Sequence, residues 1–142
     1  MKKHSGMRPH DIVVLLKIAA KGKQQWYMKD LSSELSISPS EISESINRSV
    51  IAGLLAPDKK NVMKLSLLDF LEFGLRYVYP EQPGALVRGI PTAHSAAPLK
   101  DIIVSKENYV WPSGKGTMRG QAISPLYPSV VDAVQKDDKL HE

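Results

Sequence analysis

Side chains that could carry out catalysis are few and scattered in this sequence. It contains no cysteine, which excludes disulfides and thiolate metal sites and favours a reducing compartment. His94 lies beside Thr92 and Ser95, but no acid stands at a recognisable spacing from it. The other three histidines are isolated from one another, at His4, His10 and His141. We therefore expect no enzymatic activity, no metal site and no cofactor.

One short segment has the composition of a phosphate-binding loop. It reads Ser113-Gly114-Lys115-Gly116-Thr117. In a phosphate loop the lysine precedes Ser or Thr, but here Gly116 follows Lys115, and Tyr109 occupies the position of the leading glycine. We interpret the segment as a flexible turn.

A second set of polar residues has the chemistry of DNA recognition. The side-chain amide of Asn47 can bind adenine through two hydrogen bonds, and Arg48 can bind guanine or a phosphate. Short hydroxyls suit contacts to the phosphate backbone, and lysines at a loop tip suit phosphates or the minor groove. Glu44 would repel phosphate, although it could accept from a cytosine amine. The candidate DNA-contacting residues are Ser38, Ser40, Ser43, Glu44, Asn47, Arg48, Lys59 and Lys60. For each of them, a solvated surface residue is the alternative interpretation.

The elements that would position these side chains form a helix-turn-helix within residues 28–65. Leu31 and Leu35 mark one face of a helix over about 29–35, and Ile37 would fill the space beneath a short turn. The next helix has a clear beginning, because Ser38 suits an N-cap and Pro39 suits the first helical position. Glu41 would complete a capping box, and Gly53 would end the helix. Its buried face is predicted at Ile42, Ile46, Val50 and Gly53 or Leu54, which leaves the candidate residues 40–48 exposed.

Further elements are predicted on both sides of this pair. An apolar helical pattern spans about 10–21, and Trp26 is predicted to anchor the core from a short strand at 25–27. Strands at 54–56 and 62–65 would form a hairpin, the wing, around the turn-forming residues 57–61. Ser66 and Asp69 suggest a capping box that opens a fourth helix, ending before Pro80. The predicted packing surface of this helix is Leu68, Leu71, Phe73, Leu75 and Val78.

The sequence changes character after Pro80. Residues 81–142 hold 6 of the 10 prolines and 5 of the 9 glycines, with a possible strand at 99–105 and the start of a helix at 128–136. Because Tyr109, Trp111 and Tyr127 argue against disorder, we predict an irregular arm wrapped on a core or on a partner. The predicted fold class is thus mainly α with a small β wing (α+β): a winged helix-turn-helix domain at 8–79 and an irregular C-terminal extension at 80–142.

The positive charge coincides with the helix-turn-helix. The chain carries a formal net charge of +4. Residues 1–80 hold 12 basic and 8 acidic side chains, whereas residues 81–142 hold 7 of each. This distribution favours a polyanionic partner for the N-terminal part.

The stretch from about Arg8 to Tyr79 resembles the winged helix-turn-helix of bacterial transcription regulators, nearest to the MarR-like class. The tail resembles that of small uncharacterised bacterial winged-helix proteins. The resemblance implies a homodimer that binds an operator in double-stranded DNA, with the third helix in the major groove and the wing on the backbone or minor groove. The matching residues are Asp30-Leu31, Leu35-Ser36-Ile37-Ser38-Pro39-Ser40, Ile46 and Gly53-Leu54-Leu55.

Two functions remain open at this point. The first is a sequence-specific transcriptional regulator, expected to be a dimeric repressor. The alternative is a protein-interaction module, antitoxin-like or accessory, whose arm 81–142 binds a partner protein, since a winged helix also serves as a scaffold. The basic N-terminus lacks the apolar stretch of a signal peptide, and no run of about 18–20 apolar residues is present, so we expect a cytoplasmic protein without a membrane partner.

Overall fold

The chain divides into two compact units, Met1–Pro80 (unit 1) and Glu81–Glu142 (unit 2). The structure is a computed structural model that describes residues 6–142. The expectations that concern residues 1–5, including His4 and the start of the chain, lie outside the described residues. Helices and a three-stranded sheet together give the mixed α and β composition that the sequence predicts.

Residues 6–80, the described part of unit 1, form four helices. They are α1 (Pro9–Lys21), α2 (Met28–Leu35), α3 (Pro39–Ile51) and α4 (64–78). Gly22 ends α1 with a positive φ of 60°, which glycine adopts without strain. The apolar core draws on all four helices and on Trp26, Ile37 and Leu55. The first three helices lie within a residue or two of their predicted bounds.

The turn between α2 and α3 is short and tightly bonded. Ser36 takes the left-handed conformation at the end of α2, and Ile37 is buried below it, as predicted. The Ser38 hydroxyl accepts a hydrogen bond from the Glu41 backbone N–H at 3.3 Å. The predicted N-cap of α3 is therefore confirmed, with Pro39 in its first turn.

The predicted wing strands are wrong. A single β-bridge joins Leu55 and Val62, flanked by hydrogen bonds from the Ala56 N–H to Asn61 O at 2.8 Å and from the Met63 N–H to Leu54 O at 2.9 Å. The second strand cannot extend because α4 already begins at 64. The segment 25–27 forms no strand either, although Trp26 is buried as expected.

Helix α4 also differs from its prediction. It begins two residues before Ser66, so Ser66 lies inside the helix and the expected capping box is wrong. Its middle, Phe70–Gly74, is a π-helical turn between the α-helical segments Lys64–Asp69 and Leu75–Val78. Leu67 is the buried residue of this helix, whereas three predicted packing residues, Leu68, Phe73 and Val78, are exposed.

Unit 2 is folded around a small sheet, so the expected irregular arm is wrong. Its strands are β1 (Leu86–Pro91), β2 (Tyr109–Pro112) and β3 (Met118–Ala122). Strand β1 pairs antiparallel with both others, and β2 pairs parallel with β3, which closes the sheet on itself. The fully buried Val110 lies on β2.

Glycines make this narrow closed sheet possible. A Cβ on Gly89 would overlap the carbonyl oxygen of Trp111, and one on Gly116 would overlap the backbone of Gly89. A Cβ on Gly120 would likewise overlap the carbonyl group of Asn108. Only glycine allows backbones to approach so closely.

Of the two elements predicted for unit 2, one is wrong and one is confirmed. The expected strand at 99–105 is wrong, because a 3₁₀ turn at Leu99–Asp101 is followed by irregular chain. The expected helix near 128–136 is confirmed as α5 (Val130–Lys136), and α6 (Asp138–His141) follows it.

Candidate nucleic-acid interface

The outer face of α3, defined here as Ser40, Ser43, Glu44 and Asn47, is the part of the predicted site that the structure brings together. Ser40 and Glu44 are exposed, and Ser43 and Asn47 are half-buried. The opposite face carries the buried Ile42 and Ile46. Because residues three and four apart share one side of a helix, the four polar side chains form one continuous strip.

Arg48 does not belong to that strip, which corrects its predicted exposure. Only 7% of Arg48 is exposed, and its guanidinium forms a salt bridge with the carboxylate of Asp11 on α1. Nε donates to Oδ2 and Nη2 donates to Oδ1, both at 2.8 Å. This is the two-point geometry in which Arg binds carboxylate most strongly. Arg48 is therefore engaged inside unit 1 and offers nothing to a base edge.

Asp11 accepts a third hydrogen bond, from the Arg8 backbone N–H at 2.8 Å, and so also caps the start of α1. Burial alone would raise the pKa of Asp11, but the hydrogen bonds from Arg48 and Arg8 outweigh it and hold that pKa below its usual value. In the same pair, the hydrogen bonds to Asp11 raise the pKa of Arg48. Both groups are thus charged at neutral pH.

Two further groups border this ion pair. The His10 ring nitrogen Nε2 lies 3.3 Å from the Glu41 carboxylate and 3.3 Å from Arg48 Nη2. Glu44 lies 3.8 Å from Arg48 Nη1, one helical turn away. The polar layer between α1 and α3 therefore reaches from the core to the outer face of α3.

The Ser38 hydroxyl is committed to capping α3 and lies 3.3 Å from the Ser40 hydroxyl. With Arg48 turned inward, no basic side chain lies on the outer face of α3 between Pro39 and Ile51. Any cations that hold a nucleic-acid backbone must come from other segments.

The hairpin supplies one such cation at its tip. The Asp58 carboxylate accepts hydrogen bonds from the backbone N–H groups of Lys60 at 2.8 Å and Asn61 at 3.1 Å, and these bonds lower the pKa of Asp58. Lys59 lies within this turn, has a positive φ of 63° and is exposed. Asp58 was not among the predicted site residues, although an Asp at the start of a turn is a known signal for this bonding pattern.

Lys60 differs from its predicted place at the tip. Its ammonium donates to the Trp26 carbonyl oxygen at 2.9 Å and lies 4.2 Å from the centre of the Trp26 ring. It also lies 5.6 Å from the Tyr27 ring, and the Lys29 ammonium lies 5.8 Å from the same ring. The hairpin is thus fastened to the segment before α2 by a cation–π contact.

These contacts create a basic surface that the sequence analysis missed. We call it the Trp26 surface, and it consists of Lys23, Tyr27, Lys29 and Lys60 around Trp26. A pocket of about 270 Å³ lies there, lined by Gly22, Lys23, Gln24, Gln25, Trp26, Lys60 and Asn61. The clustered lysines in 21–29 were its signal in the sequence, and interpreting 25–27 as a strand concealed it.

Comparisons of the chain with protein-family models, with curated proteins and with solved structures return no match. Among residues 6–142, no helix is both long and apolar enough to cross a membrane.

Proposed function

We propose that unit 1 binds double-stranded DNA and that the protein is a sequence-specific transcriptional regulator, acting as a dimeric repressor in the cytoplasm. The observation that carries the proposal is the arrangement of α2 and α3 around a short turn, which leaves a strip of polar side chains on the outer face of α3. A helix with this type of face enters the major groove in helix-turn-helix proteins. The hairpin beside it then serves as a reduced wing.

Base recognition in this proposal falls to Asn47, Ser43 and Glu44. The Asn47 amide can bind adenine through two hydrogen bonds, and the Glu44 carboxylate accepts from the cytosine amine. The Glu44 carboxylate also disfavours DNA sequences that place a hydrogen-bond acceptor of a base opposite it. The outer face of α3 therefore supports selectivity rather than affinity.

Affinity in this proposal comes from cations outside α3. The exposed Lys59 and the lysines of the Trp26 surface supply positive charge without any from α3 itself. Phosphate contacts of this kind position a protein on the duplex and make its affinity depend on salt. Arg48 contributes indirectly, because its bond to Asp11 fixes α3 against α1.

The experiment that tests the proposal measures binding of the full chain to the DNA upstream of its own gene, at two salt concentrations. We expect binding that weakens with salt, together with a loss of about 1–3 kcal/mol for Asn47→Ala on the preferred sequence. Asn108→Ala, which removes an exposed amide from unit 2, is the matched control. Absence of binding at low salt, or equal losses in the two variants, would overturn the proposal.

A second function, a protein-binding scaffold, is favoured by one feature of unit 2. The loop after the 3₁₀ turn exposes Ile102, Ile103 and Val104, and Val104 is fully exposed. Exposed apolar clusters of this kind occur at protein interfaces. Co-purification from the host tests this function: a stoichiometric partner that is lost on Ile102→Asp, but kept on Asn47→Ala, would support it.

A further inference from the structure

The outer side of α4 exposes large apolar side chains to solvent. Leu65 is 84% exposed, Tyr77 76% and Phe73 60%, and Leu68 beside them is also exposed. These residues recur along one helix rather than at isolated positions. Scattered exposed leucines are ordinary in proteins, whereas an apolar strip, several large apolar side chains exposed along one side of a helix, marks a contact surface.

The π turn explains why the exposed apolar side chains lie on one side of α4. In an α-helix of 3.6 residues per turn, side chains spaced by four drift around the axis with each step. The wider π turn at Phe70–Gly74 takes up one extra residue and cancels much of that drift. Leu67, Leu71 and Leu75 therefore stay on the inner side, where all three are buried or half-buried. Leu65, Phe73 and Tyr77 are held together on the other side.

The charges on α4 favour a second copy of this chain over a polyanion. The helix carries two basic side chains, Lys64 and Arg76, and two acidic ones, Asp69 and Glu72. A neutral surface of mixed sign can meet itself about a two-fold axis without an excess of like charge. DNA would gain nothing from such a surface, because affinity for DNA requires an excess of cations.

The area of the strip also fits a dimer. An aromatic side chain covers roughly 150–250 Å², so two aromatic side chains and two leucines that are each more than half exposed give on the order of 400 Å². A standard interface buries about 800 Å² on each partner, with an apolar centre rich in aromatic residues and a polar rim. The exposed apolar side chains supply most of such a centre, in which Asp69 lies between Leu65 and Phe73 on the same side of α4.

We propose that α4 is the homodimer interface, in which Leu65, Leu68, Phe73 and Tyr77 pack against the same residues of a second copy. This inference rests on the proposed function for its purpose, since a two-fold dimer presents two α3 helices to successive major grooves. Binding of a dimer to DNA does not by itself determine which helix joins the two copies, and this proposal assigns that contact to α4. The π turn has a role in this assembly, because it aligns the interface residues.

Sedimentation equilibrium of the full chain tests the interface. We expect the wild-type protein to dimerise as its concentration rises through the micromolar range, and we expect Phe73→Glu and Tyr77→Glu to weaken the dimer at least tenfold. Leu86→Glu, a matched change at an exposed apolar residue of unit 2, should leave the mass unchanged. A wild-type protein that stays monomeric at about 200 μM in this assay, or a dimer that only Leu86→Glu disrupts, overturns the inference.

A second measurement covers the case in which a charged variant fails to fold. Since the chain has no cysteine, Phe73→Cys introduces a single reactive thiol. A short bismaleimide should join two copies of that variant and should not join copies of Lys100→Cys, a variant of an exposed lysine in unit 2. The reverse result overturns the inference. A monomer that still binds DNA refutes the interface and the dimeric state but leaves DNA binding standing, and a dimer without DNA binding refutes only the proposed function.

Discussion

The ion pair between Asp11 and Arg48 joins the first helix of unit 1 to the helix whose outer face would meet DNA. Asp11 is completely buried and Arg48 nearly so, and the two hydrogen bonds between them compensate each charge for the lost water. Such a pair contributes little net stability compared with apolar residues of the same size, but losing one partner leaves an uncompensated charge. The pair therefore specifies the position of α3 more than it adds stability.

Replacing Arg48 by alanine tests this role. We expect Arg48→Ala to lower the free energy of unfolding by about 3–5 kcal/mol, because Asp11 would stay buried without its cation. Chemical denaturation followed by helical circular dichroism measures the change. Arg119→Ala, an exposed arginine in unit 2, should change it by less than about 0.5 kcal/mol. Equal effects in both variants would contradict the buried pair.

Asp11 also predicts how stability depends on pH. Its folded-state pKa lies below the value of about 3.9 that an unfolded Asp has, because Arg48 and Arg8 hold the charged form. The stabilisation is complete above the unfolded pKa and is lost as the pH falls through the lowered pKa. The difference in unfolding free energy between wild type and Asp11→Asn should therefore stay constant from pH 7 to pH 5 and decrease only in stronger acid. A difference that grows as the pH falls from 7 to 5 would instead mean a raised pKa and would contradict this prediction.

Among the elements, the closed sheet of unit 2 depends most on single residues. We expect Gly89→Ala to unfold unit 2, since a methyl group there would overlap the Trp111 carbonyl on the paired strand. Gly114→Ala is the matched control, because a Cβ at that position meets open space. Near-ultraviolet circular dichroism and tryptophan fluorescence report on Trp111. Native spectra for Gly89→Ala would contradict the close approach of the strands.

The start of α3 could be predicted from the sequence, whereas the sheet of unit 2 could not. The cap at Ser38 and the proline that follows act within one turn of helix, so local chemistry determines them. The strands of unit 2 are four to six residues long. Their glycines allow close approach to backbone that is distant in the sequence. No periodicity in a single strand reveals such a contact.

Arg48 shows the same limit within the candidate site. Helical spacing placed it near the polar strip, and its partner Asp11 lies 37 residues earlier in the chain. The available signal was Asp11 itself, which shares the spacing of the buried Leu15 and Ile18. An acid on a buried helix face requires a cation, and the sequence alone does not say which one.

At the scale of the whole molecule, the basic excess belongs to unit 1, while unit 2 is neutral. Within unit 1 the exposed cations to which we assign DNA contacts lie in the hairpin and in the segment before α2, and α3 itself has no exposed basic side chain. Selectivity would then reside in α3, and affinity would reside in the hairpin and the Trp26 surface. Variants in the two groups should consequently behave differently when salt is changed.

The salt dependence of the proposed DNA binding would measure that separation directly. Each phosphate contact adds about 0.9 to the slope of log affinity against log salt, so Lys59→Gln and Lys23→Gln should each reduce the slope by about that amount on any DNA sequence. Asn47→Ala should weaken binding to the preferred sequence and leave the slope unchanged, because an amide bound to a base displaces no counterion. Lys100→Gln, an exposed lysine of unit 2, serves as the control for lost charge. If Lys100→Gln lowers the slope as much as Lys59→Gln does, then DNA contacts unit 2 as well, and the assignment of binding to unit 1 fails.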